Sequence, residues 1–439
     1  MSFLPTKATA PFCPSEVKGS IEISPHLTGW KRLLAFCGPG LLISVGYVDP
    51  GNWATDIAAG SAFGFNLLFV IWLASLSAMF LQCLAMRVGI VTQRDLAQLS
   101  RQTYHPVVNF ILWILAELAI IATDVAEVLG CALAFHLLLG CPLSIGILIT
   151  ALDTLIVLGL KGRGFRMVEA IILGLLLTIG LCFIAEIWII QPYWPNVMQG
   201  FIPALDRLAD QNALYLAIGI IGATVMPHNI YLHSSIVQTR QVAQNDASVQ
   251  NALKMNTFDT IASLSFAFVI NAAILILAAS AFHGTGHTGV HDIEQAHALL
   301  TPIAGTGLAP ILFALALLAA GQSSTFTGTI AGQVILEGYL NIKIPCWQRR
   351  LISRALALVP ALLGIFIFGD SATGDLLVMS QVVLGLQLPF TVFPLIRFCA
   401  NRGLMGRFRI GLFAQIIAWF MFALLAACNL WLVGQMITG

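Results

Sequence analysis

The sequence predicts an all-α membrane protein that crosses the bilayer many times. Of its 439 residues, 58% are hydrophobic and only 9% are charged, and the mean hydropathy is +0.90. A water-soluble protein of this size could not bury so many apolar side chains in one core. Several apolar runs also reach the length of about 20 residues that a transmembrane helix needs. The function is therefore expected to lie within the membrane.

Eleven apolar windows reach this length, and we number them as spans 1 to 11 in chain order. Their approximate bounds are 34–58, 63–87, 107–135, 138–160, 167–190, 212–236, 257–282, 305–336, 351–369, 375–396 and 411–436. No separate soluble domain is expected, because the stretches between these windows are short. The first 30 residues contain four prolines and no sustained apolar run, which predicts a polar tail rather than a signal peptide.

The basic residues predict the orientation of the chain. Twenty of the 21 Lys and Arg residues fall in the N-terminal tail or in the loops after even-numbered spans, and only Arg207 falls on the other side. By the positive-inside rule, the N-terminus is cytoplasmic and the C-terminus is outside. The sequence contains no Asn-x-Ser/Thr sequon, which favours a prokaryotic source. We expect a protein of the bacterial inner membrane that acts as a monomer and has no nucleic-acid partner.

Two interruptions of the apolar pattern predict an inverted repeat. "DPGN" with Pro50 lies in span 1, and "MPHN" with Pro227 lies in span 6, five spans later. An odd number of spans in each unit gives the two units opposite topologies. The predicted segments are a tail at 1–30, a first repeat of five spans at 31–208, a second repeat at 209–396 and an eleventh span at 397–439.

The interruption in span 1 predicts an ion site. Pro50 removes a backbone donor and Gly51 loosens the helix, so nearby backbone groups lose their helical partners. Such groups are tolerated at membrane depth only where they line a cavity or bind a ligand. The Asp49 carboxylate costs about 2.5–3.5 kcal/mol at the bilayer centre unless it is paired, hydrated or coordinated. Asn52 adds a further oxygen. The alternative is a simple proline kink with a hydrogen-bonded aspartate.

The interruption in span 6 adds a softer candidate ligand, the thioether of Met226. Magnesium and calcium prefer oxygen ligands alone, whereas a thioether favours softer metals such as manganese, iron or cadmium. A methionine in an apolar helix more often fills the core. Only the position of Met226 beside the paired interruption indicates a ligand.

Span 3 contains Glu117, Asp124 and Glu127, whose spacings of seven and three place them on one stripe of a helix. No basic residue lies within this span, so the row of acids predicts a path for protons leading from the metal site. Interhelical salt bridges are an alternative that is compatible with such a path. Their basic partners would be the residues at the start of span 9, Arg349, Arg350 and Arg354.

Other polar groups also interrupt the apolar spans. His228 and His233 in span 6 could accept protons near neutral pH, or they could be packing histidines. Gln381 and Gln387 in span 10 and Asn271 in span 7 could line a route or bond across helices.

Four histidines lie in the segment predicted to be outside the membrane between spans 7 and 8, at positions 283, 287, 291 and 297. Capture of a metal ion before transport is one interpretation of this group. The glycines among these histidines argue against a regular helix, which weakens that interpretation.

"DPGN" in span 1 and "MPHN" in span 6 together resemble the Nramp family of proton-coupled divalent metal transporters. The resemblance extends through "TDVAE" in span 3, "GQSSTFTGTIAGQ" in span 8 and "SQVVLGLQLPF" in span 10, from about residue 36 to 396. It implies a LeuT-like fold with alternating access. It also implies manganese and ferrous iron as typical substrates, with cadmium, cobalt and zinc as further candidates, and no bound cofactor.

The resemblance also implies roles for residues at matching positions. The implied metal ligands are Asp49, Asn52, Met226, the carbonyl group of Ala223 and, in one conformation, Gln381. The residues implied in proton uptake and passage are Asp49, His228, Asp124 and Glu127, with span 9 arginines closing a salt-bridge network. The family's magnesium-transporting branch lacks the span 6 methionine, so the presence of Met226 disfavours that branch.

Three other functions are alternatives to a proton-coupled metal transporter. A sodium-coupled carrier of organic solutes would use similar broken helices, but it would have no evident use for a thioether beside a buried aspartate. A passive metal channel would share the ligands and lack the coupling. A membrane metalloenzyme would need a string such as HExxH, which does not occur, so we do not expect an enzyme.

Overall fold

The computed structural model describes residues 17–24, 29–150, 165–203, 208, 210–290, 292–304, 307–342, 346–369 and 373–438. Within these ranges the protein is almost entirely helical, and the prediction of an all-α fold is confirmed. The described residues contain one isolated β-bridge, between Ile21 of the N-terminal segment and Arg240.

The first half of the chain contains the helices of spans 1 to 5. They are α1 (Gly29–Phe36), α2 (Pro39–Gly46), α3 (Pro50–Phe63), α4 (Leu68–Thr92), α5 (Leu96–Thr103), α6 (Pro106–Leu139), α7 (Leu143–Thr150) and α8 (Phe165–Ile190). Helices α2 and α3 together form span 1, whereas α4, α6 and α8 form spans 2, 3 and 5. Helix α7 is the described part of span 4.

The second half contains spans 6 to 11 and the short helices that join them. They are α9 (Trp194–Gly200), α10 (Gln211–Thr224), α11 (Pro227–Ile236), α12 (Asp246–Ala281), α13 (Ile293–Ala304), α14 (Leu308–Leu340), α15 (Cys346–Phe368), α16 (Thr373–Ala400), α17 (Arg402–Met405) and α18 (Leu412–Thr438). Helices α10 and α11 together form span 6. Helices α12, α14, α15, α16 and α18 form spans 7 to 11.

Within the described residues, each predicted span contains at least one helix, although length and composition alone select fewer spans. Among the described residues, eight helical stretches are long and apolar enough to cross a membrane. Spans 1 and 2 are counted as one of these stretches, Pro50–Thr92, and the apolar part of span 9, Arg354–Ile367, falls short of the required length. Residues 151–160, the second part of the span 4 window, lie outside the described residues.

Spans 1 and 6 are both interrupted in the middle, as the sequence predicts. Helix α2 ends at Gly46 and α3 begins at Pro50, whereas α10 ends at Thr224 and α11 begins at Pro227. Proline is favoured at the first position of a helix, because the N–H that it lacks would have no helical acceptor there. Each proline therefore ends the hydrogen-bond ladder of one helix and starts the next.

The contacts between helices bring the interrupted spans 1 and 6 together with spans 3, 7 and 10. Span 3 (α6) packs against spans 8, 9 and 10, and span 7 packs against both parts of span 1. Span 6 (α10) packs against span 10 and against α3. Span 11 packs mainly on span 10, and Phe413, Phe420 and Leu430 are exposed on its surface, as expected for side chains that contact lipid.

The start of span 1 is held by polar contacts on the side predicted to be cytoplasmic. Arg240 donates to Glu169 of α8 at 2.7 Å and also to the carbonyl group of Cys37. The Asp259 carboxylate of α12 accepts from the backbone N–H of Gly40 at 2.7 Å. These bonds connect the beginning of α2 to spans 5 and 7.

Candidate metal site

The two helix interruptions contact each other in the interior of the protein. The side-chain nitrogen of Asn52 donates to the carbonyl oxygen of Ala223 at 3.2 Å, which connects α3 to the end of α10. A Cβ atom at Gly46 would lie 2.2 Å from the Asn229 amide nitrogen, so the end of α2 also packs closely on α11. All four residues are buried. The interruptions that the sequence places five spans apart therefore form one structural unit.

Asp49 is the N-cap residue of α3, and one of its two carboxylate oxygens has no partner. Oδ1 accepts from the backbone N–H of Asn52 at 2.9 Å and from its side chain at 2.8 Å. Oδ2 is buried and has no hydrogen-bond partner among the described residues. Leaving a buried carboxylate oxygen unsatisfied is costly. This cost favours an ion site over the alternative, a proline kink in which hydrogen bonds satisfy the whole Asp49 carboxylate.

Two further buried oxygens without a hydrogen-bond partner lie at the interruptions, on the side chains of Gln381 and Asn229. Gln381 lies against the backbone of Gly51, where an added Cβ atom would be 1.8 Å from its amide nitrogen. That nitrogen donates to the Ser380 hydroxyl at 2.8 Å, which leaves the amide oxygen available. The Asn229 nitrogen donates to the Met226 sulfur at 3.5 Å. Oxygens and a sulfur in these positions are suited to a cation.

The chemistry of these groups differs from that of a common protein metal site. Within the described residues, no three His, Cys, Asp or Glu side chains are placed to hold a metal ion together. A site at the interruptions would combine the Asp49 carboxylate with amide, carbonyl and thioether groups. Met226 itself is the N-cap residue of α11 and is fully buried.

Span 3 runs beside the two interruptions. A Cβ atom at Gly130 would lie 2.2 Å from the Pro50 ring, so α6 touches the first turn of α3. The Thr123 hydroxyl is 3.3 Å from Nδ1 of His228, and Thr123 directly precedes Asp124. The His228 side chain of α11 therefore contacts span 3 one residue before Asp124.

The acids of span 3 face a polar seam with spans 8 and 9, in which Glu127 is buried and Glu117 is partly exposed. Glu117 forms an ion pair with Arg349. The Glu127 carboxylate lies against Gly328 of α14, where an added Cβ atom would be 2.8 Å from Oε1. The Arg349 guanidinium lies against Gly332, one turn further along α14, where an added Cβ atom would be 3.1 Å from Nη2. The two glycines therefore make room for the side chains of Glu127 and Arg349.

Two further residues predicted to take part in proton transfer or in the salt-bridge network are buried. Asp124 has 5% of its surface exposed and Arg354 has 4%. The side chain of Arg350 lies outside the described part of the structure.

His233 lies away from span 3. Its Nδ1 is 2.9 Å from the Gln82 oxygen of span 2, and its Nε2 is 3.5 Å from the Thr260 hydroxyl of span 7. Asn271 donates to the backbone carbonyl group of Tyr47 at 2.7 Å, which satisfies one of the acceptors at the interruption of span 1. These contacts favour a packing role for His233 and confirm that Asn271 bonds across helices.

Comparison with known proteins places this architecture in a family. The family model described as Natural resistance-associated macrophage protein-like, Nramp, matches residues 40–435. The chain belongs to the Nramp family. The resemblance noted in the sequence is thereby confirmed over nearly the whole chain.

A curated relative and a solved structure agree with this assignment. The Nramp chain is 61% identical over 436 residues to a protein of Ralstonia nicotianae named divalent metal cation transporter MntH, with 99% of each chain covered. A crystal structure of the Eremococcus coleocola manganese transporter has 37% sequence identity and a TM-score of 0.90. The match covers 97% of this Nramp protein and 91% of that chain.

A more distant structural match shows the wider fold. Mhp1, a nucleobase-cation-symport-1 family transporter, has a TM-score of 0.61 at 16% identity, with 94% of this chain and 84% of that chain covered. At this level of identity the match concerns the fold alone. It supports the LeuT-like architecture with broken spans 1 and 6.

Two buried acids with unpartnered carboxylate oxygens, among the described residues, were not selected from the sequence. Asp56, two turns after Asp49, is buried, and its Oδ2 has no partner among the described residues. Glu186 of span 5 is fully buried, and neither of its carboxylate oxygens has a partner in the same part of the structure. A lone acid in an apolar run was the signal that could have identified Glu186.

The described histidines of the segment between spans 7 and 8 do not converge. Nδ1 of His283 is 2.9 Å from the Ser61 carbonyl oxygen, and Nδ1 of His287 is 2.9 Å from the Thr285 hydroxyl. The ring of His297 packs near Phe313. His291 lies outside the described residues. A capture site made from these histidines is not supported by these contacts.

Proposed function

We propose that this Nramp protein imports divalent transition metal ions together with protons by alternating access. Manganese and ferrous iron are the proposed main substrates, and cadmium, cobalt and zinc are further ones. The observation that carries the proposal is the buried, unpartnered Oδ2 of Asp49 at the interruption of span 1, which contacts the interruption of span 6 through Asn52 and Ala223. The names of the Ralstonia and Eremococcus proteins, a divalent metal cation transporter and a manganese transporter, support it.

The proposed ligands are Asp49, Asn52, Met226, the carbonyl group of Ala223 and, in one conformation, Gln381. In the structure, the side-chain nitrogen of Asn52 donates a hydrogen bond to the Ala223 carbonyl oxygen, which keeps this oxygen from binding a metal ion. Rotation of the Asn52 amide would release this carbonyl group and turn the amide oxygen towards the ion. The hydrogen bond between Asn52 and Ala223 would thus hold the two interruptions together until a metal ion replaces it.

Selection among metals would depend on Met226. A thioether gives little stabilisation to magnesium or calcium, which prefer an all-oxygen shell. Softer transition metals gain from a sulfur ligand. The site would therefore discriminate against the abundant hard cations without needing a higher overall affinity.

Proton transfer would begin at the metal site and continue into span 3. A metal ion competes with protons for a carboxylate, so binding at Asp49 is linked to proton release. His228 contacts the Thr123 hydroxyl, next to Asp124 in the sequence, and would pass protons towards Asp124 and Glu127. The ion pair of Glu117 and Arg349, with Arg354 nearby in sequence, would stabilise charge at the far end of this path.

The inverted repeat supplies a basis for alternating access. The first repeat, at 31–208, and the second, at 209–396, each begin with a broken helix, and residues 397–439 add the eleventh span. Rocking of one group of helices against the other would expose the shared site to each side in turn. The protein is proposed to act as a monomer in a bacterial inner membrane, with the N-terminus cytoplasmic and the C-terminus outside.

Coupling is tested by recording manganese uptake and internal pH simultaneously in proteoliposomes. Manganese entry should acidify the interior, and an acidic exterior should accelerate uptake, whereas liposomes without protein should show neither effect. Uptake of manganese without acidification would contradict the proposal and would indicate a passive channel.

A further inference from the structure

A histidine and a glutamate face each other where α13 crosses the end of span 3. His136 lies in the last turn of α6, and Glu294 lies in the first turn of α13. Nε2 of His136 is 3.4 Å from Oε1 of Glu294. Their side chains are 30% and 43% exposed, so ions can reach both from the solvent. This end of span 3 is on the side that the basic residues predict to be outside.

The hydrogen bond of the other ring nitrogen of His136 determines whether Nε2 carries a hydrogen or a lone pair in the neutral ring. Nδ1 is 2.7 Å from the carbonyl oxygen of Cys141. A carbonyl oxygen can only accept, so Nδ1 must carry the hydrogen. In the neutral ring, Nε2 then directs a lone pair at the Glu294 carboxylate. Two acceptors this close repel each other unless a proton or a metal cation lies between them.

The distance between the two groups is longer than a charge-assisted hydrogen bond and equals the separation of two ligands of one tetrahedral metal ion. A charge-assisted N–H···O hydrogen bond is usually about 2.7–2.9 Å long. Zinc binds imidazole nitrogen and carboxylate oxygen at about 2.0–2.2 Å, which separates two tetrahedral ligands by about 3.4 Å. The hydrogen bond from Nδ1 to a backbone carbonyl group is also the usual second interaction of a metal-binding histidine.

We propose that His136 and Glu294 bind a divalent transition metal ion such as zinc, with water completing the coordination shell. Nitrogen and oxygen ligands of this type suit zinc, cobalt and nickel. The bound ion would connect α13 to the end of span 3. Neither residue belongs to the broken helices, so this site is separate from the one proposed for transport and does not depend on it.

Zinc titration by calorimetry tests the site in the full-length, detergent-purified protein. The parent protein should carry Asp49→Ala, which removes the main charged ligand of the proposed transport site. We expect His136→Ala and Glu294→Gln each to weaken zinc binding at least about tenfold. His287→Ala is the matched control, because His287 lies in the outside segment and its ring bonds to the Thr285 hydroxyl. It should leave the affinity unchanged.

A second variant separates metal binding from structural damage. His136→Cys removes the imidazole contacts and keeps a side chain that binds zinc, so it should retain more affinity than His136→Ala. Zinc should also raise the melting temperature of the parent and of His136→Cys, but not that of His136→Ala. No zinc binding at millimolar concentration, or equal affinity in the parent and His136→Ala, would overturn the proposal and leave a proton-dependent ion pair.

Discussion

Asp49 supplies the only full negative charge among the proposed ligands, so it should matter most for uptake. Asp49→Ala removes the unpartnered Oδ2 and leaves a metal ion with neutral ligands alone. We expect manganese uptake in proteoliposomes to fall to the level of protein-free liposomes, while the variant still inserts and stays monodisperse. Asp210→Ala is a matched control, because Asp210 also caps a broken-span helix but is exposed. Substantial uptake by Asp49→Ala would exclude Asp49 as an essential ligand.

Substitution of Met226 should change the metal selectivity of the protein more than its rate of manganese uptake. Met226→Ala removes the only soft ligand and leaves an oxygen site that suits calcium and magnesium better. In competition assays, the variant should be inhibited by calcium at concentrations that do not affect the parent. Met86→Ala, which shortens another buried methionine, should keep the original order of metals. An unchanged order in Met226→Ala would assign Met226 to core packing.

At the scale of helices, the contact of spans 3 and 8 positions the acids proposed to carry protons. A methyl group at Gly328 would lie 2.8 Å from Oε1 of Glu127 and would push the carboxylate aside. Gly328→Ala should therefore slow acidification of the proteoliposomes more than it weakens manganese binding. Gly174→Ala in span 5 meets no atoms within 4 Å and serves as the control. Equal losses of binding and proton movement would indicate general disruption of the helix contact.

The sequence predicts helices and interruptions better than it predicts contacts. Pro50 and Pro227 identify the two interruptions, because proline cannot continue a helical ladder whatever its surroundings. The roles of Gly328 and Gly332 could not be predicted, since they depend on which side chains of spans 3 and 9 face them. The bonds of His233 to spans 2 and 7 likewise depend on helix packing, and the sequence leaves both of its interpretations open.

At the scale of the whole molecule, the Arg240 contacts should keep the start of span 1 closed on the predicted cytoplasmic side. Its ion pair with Glu169 is buried, and loss of one partner of such a pair costs about 3–5 kcal/mol. Arg240→Ala should therefore accelerate modification of Cys37 by a water-soluble maleimide, measured by mass spectrometry. Arg407→Ala removes an exposed ion pair with Asp246, and it should leave the rate unchanged. Equal rates in all three proteins would show that these contacts do not hold α2.

The two broken helices meet at one buried position, and we propose that a transported metal ion binds there. Anomalous diffraction from crystals soaked in manganese can locate this ion. We expect an anomalous peak within coordination distance of both Asp49 Oδ2 and Met226 Sδ, and its loss in Asp49→Ala crystals. A manganese peak elsewhere in the membrane region, with none between these two atoms, would contradict it.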